Sequence, residues 1–338
     1  MKKSMLGIID VTMYPEELGQ LSAHRSPAAI PFAGRYRLID FIISNMVNSG
    51  IQSVAIFPSS SPSRSLMDHL GSGKDWDLNR KRDGLFFFPA LSKDGQLSRL
   101  DEHRDYFERS QQKYVLVSNC TTVANMDFTP ALDRFINQEC DLLEITHKGK
   151  SAEMYITSLP LLMEIIDNRH KTGYKTIKDA SEDEKSPYTR CKYEYDGLLK
   201  CIKTINDYYQ TSMNLLEKEK WSQLFNEFQP IFTKVKDEPP TKYIDGSHVT
   251  NSMIANGCNI EGEVNHSIIF RAVYIGKEST IQNSIVMQKS KIGHNCVLEH
   301  VILDKDVVIG DGVVLRGTAE EPLVVKKGSV VENVVASS

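Results

Sequence analysis

The chain has 338 residues, 41% of them hydrophobic and 25% charged, with a formal net charge of −4. That length suits two domains, each with its own core. Lysines and arginines are spread along the chain, which leaves no basic footprint for nucleic acid, and no stretch approaches the roughly 18 apolar residues that cross a bilayer.

The first apolar run, Met5-Leu6-Gly7-Ile8-Ile9, stops at Asp10 with no A-x-A-like site. It reads as a buried first strand rather than a leader, and the expected location is the cytoplasm. Six cysteines stand at 120, 140, 191, 201, 258 and 296. None forms a C-x-x-C pair and no histidine cluster has zinc spacing, so reduced, partly buried thiols are expected. His24, His69, His266, His294 and His300 call for no special role, since an isolated histidine in a turn usually faces solvent.

Taken along the chain, residues 1–233 alternate short apolar runs with helical patterns, the signal of an α/β domain with a mainly parallel, Rossmann-like sheet. Strands are expected at Leu6–Ile9, Ser53–Phe57, Tyr114–Val117, Leu142–Thr146 and Met154–Thr157. After the first of them, residues 10–17 read Asp-Val-Thr-Met-Tyr-Pro-Glu-Glu. A phosphate cradle needs glycines so that successive backbone N–H groups can turn inward. This loop has none, and it carries three carboxylates that repel an anion. Arg37–Ser49 reads as a helix with Leu38, Phe41, Ile42, Met46 and Val47 on its apolar face. Asn206–Phe225 reads as one longer amphipathic helix, with Tyr209, Met213, Leu216, Trp221 and Leu224 as a core-packing stripe. Residues 234–242, charged and holding Pro239 and Pro240, form the expected linker.

Beyond the linker, in 243–338, the pattern changes. Ile275-Gly276, Ile292-Gly293 and Ile309-Gly310 recur at equal intervals. A second series keeps step, with Asn251-Ser-Met-Ile254, His266-Ser-Ile-Ile269, Asn283-Ser-Ile-Val286 and His300-Val-Ile-Leu303. A period near 17 with three aliphatic corners is what a triangular parallel β-helix needs, because each coil buries its corners only against its neighbours. This part is similar to the left-handed β-helix of hexapeptide-repeat proteins.

Residues 25–51, RSPAAIPFAGRYRLIDFIISNMVNSGI, resemble the signature of sugar-phosphate nucleotidyltransferases, specifically bacterial glucose-1-phosphate adenylyltransferase (ADP-glucose pyrophosphorylase). The resemblance covers both domains. It implies transfer of a nucleotidyl group to a sugar phosphate, with a divalent metal held by two aspartates to bridge phosphate oxygens. Those two positions fall on Thr121, in Val115-Leu-Val-Ser-Asn-Cys-Thr121, and on Cys201, in Cys201-Ile-Lys203-Thr-Ile205. Lys203 replaces the family's glycine and puts a cation where a metal would approach. Loss of two metal carboxylates should slow the reaction on the order of 10⁴-fold or more, at about 1.4 kcal/mol per decade. The family's Arg-x-Lys-Pro, Gly-Thr-Ala-Asp and Glu-Lys-Pro segments are also missing, and the interval from Leu143 to Met154 is short.

The resemblance is nearest to the non-catalytic D-type branch. It implies a regulatory subunit in glycogen synthesis, paired with a catalytic homologue in a hetero-oligomer, a tetramer, or self-associated as a homo-oligomer. Mg²⁺ and ATP would then belong to the catalytic partner, and this chain would hold no cofactor or metal. Arg25, Arg35 and Arg37 are the candidate phosphate or effector contacts. Arg35 lies where activatable relatives carry a lysine that meets a sugar-bisphosphate effector, and guanidinium suits phosphate. Two other readings remain open. One is an active transferase whose metal ligands have moved to Asp127, Asp196 or Asp207. The other is a β-helix acyltransferase.

Overall fold

A computed structural model of the chain describes residues 4–12, 18–58, 63–80, 83–89 and 94–332. Most of the glycine-free loop, residues 13–17, lies outside them. The α/β part includes β1 (Met5–Asp10), β2 (Ser53–Phe57), β3 (Gly84–Phe87), β4 (Tyr114–Ser118), β5 (Thr122–Ala124), β6 (Leu142–His147), β7 (Lys150–Ser158), β8 (Arg190–Glu194) and β9 (Leu199–Cys201). Seven form one sheet in the order β8-β6-β7-β4-β1-β2-β3, while β5 and β9 pair by themselves. β1 runs parallel to both β2 and β4, and β7 runs antiparallel to β4 and β6. All six residues of β1 are buried, as a near-continuous apolar run in a doubly covered sheet should be.

The five expected strands all form. β3, β5, β8 and β9 are additional, and β3 and β8 are the edges of the large sheet. β8, Arg-Cys-Lys-Tyr-Glu, alternates exposed and half-buried residues and so lacks an apolar run to detect. Helix Leu38–Asn48 forms as expected, and the Arg37 N–H donates to Asp40 Oδ2 at 2.9 Å to close its first turn.

Three expectations need correction. The 206–225 helix is two helices, Ile205–Asn214 and Lys218–Leu224. Leu216 N–H bonds Met213 O, Glu217 turns extended, and the second helix redirects Trp221 toward Phe225, 4.2 Å away between ring centroids. Phe225 in turn stacks on Tyr36 at 5.0 Å. The thiols are not all free, because parallel pairing of β6 with β8 brings the Cα atoms of Cys140 and Cys191 to 6.1 Å and the two form a disulfide. His69 does not face solvent. It is buried with Nε2 2.6 Å from Asp40 Oδ1.

Residues 226–241 form no helix or strand, and the β-helix begins at Lys242. Its three faces are parallel sheets of six, five and five strands. Ile260, Ile275, Ile292 and Ile309 line one inner face, Val264, Ile281, Leu298 and Leu315 the second, and Ile269, Val286 and Leu303 the third. The sequence period reappears in the backbone. His266, Asn283 and His300 all have positive φ, as do Ala272, Lys289 and Asp306, because each corner turns through a left-handed residue. Gly276 is required for another reason: a Cβ there would collide with the Gly293 carbonyl of the next coil. Inside one corner the hydroxyls of Ser252, Ser267 and Ser284 each accept the N–H of the residue one coil on, at 3.0, 3.0 and 3.1 Å. That satisfies buried donors the strands cannot reach.

The coils pack against the α/β part through a shared core. Phe32, Phe41, Tyr208 and Met213 meet Ile268, Phe270, Ile285, Met287 and Ile302. Tyr208 OH donates to Pro31 O at 2.7 Å and Tyr209 OH to Asn283 O at 2.6 Å.

Candidate functional site

In an open α/β sheet ligands bind beyond the carboxyl ends of the strands, where neighbouring connections diverge. β1 and β4 provide that place here. A cavity of about 340 Å³ opens there, lined by Asp10, Thr12, Val117, Ser118, Asn119 and Glu153, with Lys203 at its side. Size and position suit a small-molecule pocket. Its charges are closed on themselves. Buried Asp10 accepts from Arg99 Nη2 at 2.9 Å, from Gln96 Nε2 at 3.2 Å and from the Thr12 hydroxyl at 2.6 Å. Lys203 Nζ pairs with Glu153 Oε1 at 2.6 Å.

The two positions matched to metal aspartates do come together. Antiparallel pairing of β5 with β9 sets Cys201 opposite Thr122, and Ile202 N–H bonds Thr121 O at 3.0 Å. Cys201 Sγ lies 3.4 Å from Thr122 Oγ1. Burial raises the Cys201 pKa, so the thiol stays neutral. A neutral thiol, a threonine hydroxyl and an ammonium held beside Glu153 do not suit a hard divalent cation, which asks for several oxygen ligands. Among the described residues no group of three or more His, Cys, Asp or Glu could hold a metal. Two of the carboxylates considered as substitutes are already engaged. Asp127 Oδ1 accepts Thr129 N–H at 2.8 Å, and Asp207 Oδ2 accepts Lys203 and Thr204 N–H at 3.1 and 2.9 Å. The short interval between Leu143 and Met154 is a tight hairpin turning through Lys148 and Gly149, both with positive φ.

The three arginines separate. Arg25 is 3% exposed and Asp304, on the β-helix, 1%. Arg25 Nη2 donates to both carboxylate oxygens at 2.6 and 2.8 Å, while Nη1 lies 3.9 Å from Met287 Sδ. Its guanidinium is thus committed to the junction between the two parts, which corrects its reading as a phosphate contact. Arg35 is exposed, its guanidinium 5.4 Å from the Tyr36 ring centroid. Arg37 is half-buried and its Nη1 donates to Ser65 O and Oγ at 2.5 and 3.1 Å. Burial lowers its pKa to about 10, with help from Arg25 and Arg271.

Arg35 and Arg37 open into a second, smaller cavity of about 40 Å³ at the junction, also lined by Lys234, Lys236, Arg271 and Gln288. Five cations from the α/β part, the connecting segment and the β-helix therefore converge. Some carry partners: Lys234 Nζ donates to Asp68 O at 2.7 Å and Arg271 pairs with Glu238. Lys236 forms no ion pair among the described residues, and its pKa is lowered by burial and by Arg271, Lys234 and Arg37. The side-chain oxygen of Gln288 is buried without a partner. Sequence reasoning missed Lys236 and Arg271. The signal was present: Arg271, Gln288 and Lys305 are equally spaced, so the coil period places them in one corner column.

Residues 16–155 match the family described as nucleotidyl transferase, and residues 239–335 the one described as GlmU-like, C-terminal hexapeptide. The chain is 52% identical over 332 residues to glycogen biosynthesis protein GlgD of Bacillus subtilis, covering 96% of each. It is 52% identical over 343 residues to GlgD of Geobacillus stearothermophilus, covering 99% of this chain and 100% of that one. Identity to glucose-1-phosphate adenylyltransferase of Bacillus cereus is 27% over 344 residues, 88% of this chain and 91% of the relative. With matches at this level along its whole length, the chain belongs to the GlgD family of glycogen biosynthesis proteins, related to the glucose-1-phosphate adenylyltransferases.

Proposed function

We propose that this chain is a regulatory subunit for a glucose-1-phosphate adenylyltransferase, without catalysis of its own. The observation that carries the reading is the pair Thr121 and Cys201, brought together by the pairing of β5 with β9, with Lys203 of the same segment lining the strand-end pocket in an ion pair with Glu153. Positions where the family resemblance expects metal carboxylates offer no site for Mg²⁺, so ATP and its metal belong to a catalytic homologue. The partner shares this architecture, and association of the two builds a hetero-oligomer, a tetramer in the simplest closed symmetry. An anionic effector, of which a sugar phosphate is the natural class, binds at the junction cavity among Arg35, Arg37, Lys236 and Arg271. Coupling between such a site and the partner's activity is typically worth about 1–3 kcal/mol.

The test is to assay the chain alone, the catalytic homologue alone and the mixture, with Mg²⁺, ATP and glucose 1-phosphate. The expected result is no turnover alone and altered turnover or effector response in the mixture. Turnover by the isolated chain at the rate of its catalytic relatives would overturn the reading, and would favour relocated metal ligands instead.

A further inference from the structure

The corner column that supplies Arg271 and Gln288 to the junction cavity continues one coil further to Lys305, and then to Lys327, since Leu303 pairs with Val325. Lys305 is half-buried, and its Nζ makes no ion pair or hydrogen bond among the described residues. The carboxylate beside it, Asp304, is already engaged. Arg25 holds both oxygens, and the Lys305 backbone N–H donates to Oδ1 at 2.6 Å. The charged groups facing Lys305 are otherwise cations: Arg25 and Arg37 from the α/β part and Lys327 from the last coil. Around them stand Lys234 and Lys236 on the connecting segment, and Arg271 and Lys289 on the coils. The nearby acids are taken, Glu238 by Arg271 and Asp40 by His69.

We infer that binding of a doubly charged tetrahedral oxyanion at this junction is coupled to uptake of a proton by Lys305, so that the site reads pH together with its ligand. The inference rests on the proposed reading of the junction cavity as an anion site. The physical reason is a crowd of like charges around a partly desolvated amine, which favours its neutral form. Burial, followed by Arg37 and Arg25, pushes the Lys305 pKa down to about 7. A bound dianion reverses the local balance and restores the ammonium. The cavity, of about 40 Å³, is on the scale of one such group. Affinity must then rise as pH falls through neutrality, since the complex holds more protons than the free protein. His69 also lines the cavity, with a pKa lowered from the ordinary histidine value by burial, so a variant at Lys305 is needed to tell the two groups apart.

Sulfate is the probe, because unlike phosphate it does not titrate near neutrality. Calorimetric titration of the full chain with sulfate is run from about pH 6.5 to about pH 8.5, in two buffers of different ionisation enthalpy, to count protons. The expected result is net proton uptake on binding and a several-fold loss of affinity across that range. Lys305→Arg, which stays charged, should bind sulfate with no dependence on pH and no proton uptake. Binding by the unaltered chain that is independent of pH would overturn the proton coupling while leaving the anion site standing. Absence of sulfate binding at every pH would overturn both. Persistence of proton uptake in Lys305→Arg would assign the proton elsewhere and sink the inference. Should that variant fail to fold, Lys305→Gln, which cannot titrate, takes its place, and proton uptake that persists in it would sink the inference in the same way.

Discussion

The strand-end cavity and the junction cavity have opposite electrostatics. In the larger one, at the ends of β1 and β4, each acid has its own cation: Arg99 for Asp10 and Lys203 for Glu153. At the junction, cations outnumber acids and Lys236 and Lys305 are left without carboxylates. A site that must receive a charged ligand keeps charge in reserve, whereas a site closed by internal ion pairs has none to offer. The contrast fits the proposed reading of a chain that binds an effector without catalysis of its own, and it can be broken at four places.

The largest effect is expected from Arg25→Met. It leaves Asp304 buried and unpaired between the two parts, and denaturant unfolding should show a loss of about 3–5 kcal/mol. Replacing both partners, Arg25→Met with Asp304→Leu, should recover much of it. Next is Arg99→Met in the larger cavity. Asp10 keeps Gln96 and the Thr12 hydroxyl as donors, so the loss should be smaller, about 2–3 kcal/mol by the same measurement.

Third is Lys305→Met, whose effect depends on pH. The folded pKa, about 7, lies below the ordinary lysine value, so from about pH 7 to about pH 10 the unfolded chain binds more protons than the folded one. Stability of the unaltered chain therefore rises with pH across that window. The variant should be the more stable protein near pH 6 and lose that advantage by about pH 10. Thermal unfolding across the range checks the sign, and an advantage that grows with pH would contradict it. The smallest effect belongs to Lys203→Met. Its pair with Glu153 is partly exposed, so the change should cost no more than about 1 kcal/mol. A loss as large as that of Arg99→Met would mean that Lys203 holds the emptied pocket together, and would blur the distinction between the two cavities.

The fold was legible where burial imposes a strict pattern. Continuous apolar runs marked β1, β2 and β4, and the repeat period marked the coils, because in both cases the core dictates which residues alternate. Edge strand β8 escaped detection since one side of it answers to solvent. The break between Ile205–Asn214 and Lys218–Leu224 escaped because an apolar stripe can be continued by eye through Leu216, whereas the aromatic cluster of Tyr36, Trp221 and Phe225 demands a change of direction. The disulfide depends on strand order, which places Cys140 beside Cys191 despite their distance along the chain. For the site, the meeting of Thr121 with Cys201 followed from matching motifs. The fate of Arg25 did not, because its partner Asp304 lies near the far end of the sequence. The coil period puts Arg271 and Lys305 in one column, but their approach to Arg37 and Lys236 follows only when the coils stack against the α/β part.

The coils also show where this architecture can change. Val286 finds its partner one regular period on, at Leu303, but Leu303 finds its own only after a longer interval, at Val325. The additional residues leave the stack near Gly317–Pro322, and Gln210 Nε2 fastens Ala319 O to the neighbouring helix at 2.6 Å. Because the stack is held by side chains and carbonyls repeated from one coil to the next, a corner can lengthen without shifting any inward aliphatic residue. Growth of this kind adds outline without demanding a new interior. Such corners are places where related chains can diverge in shape while remaining interchangeable in their cores.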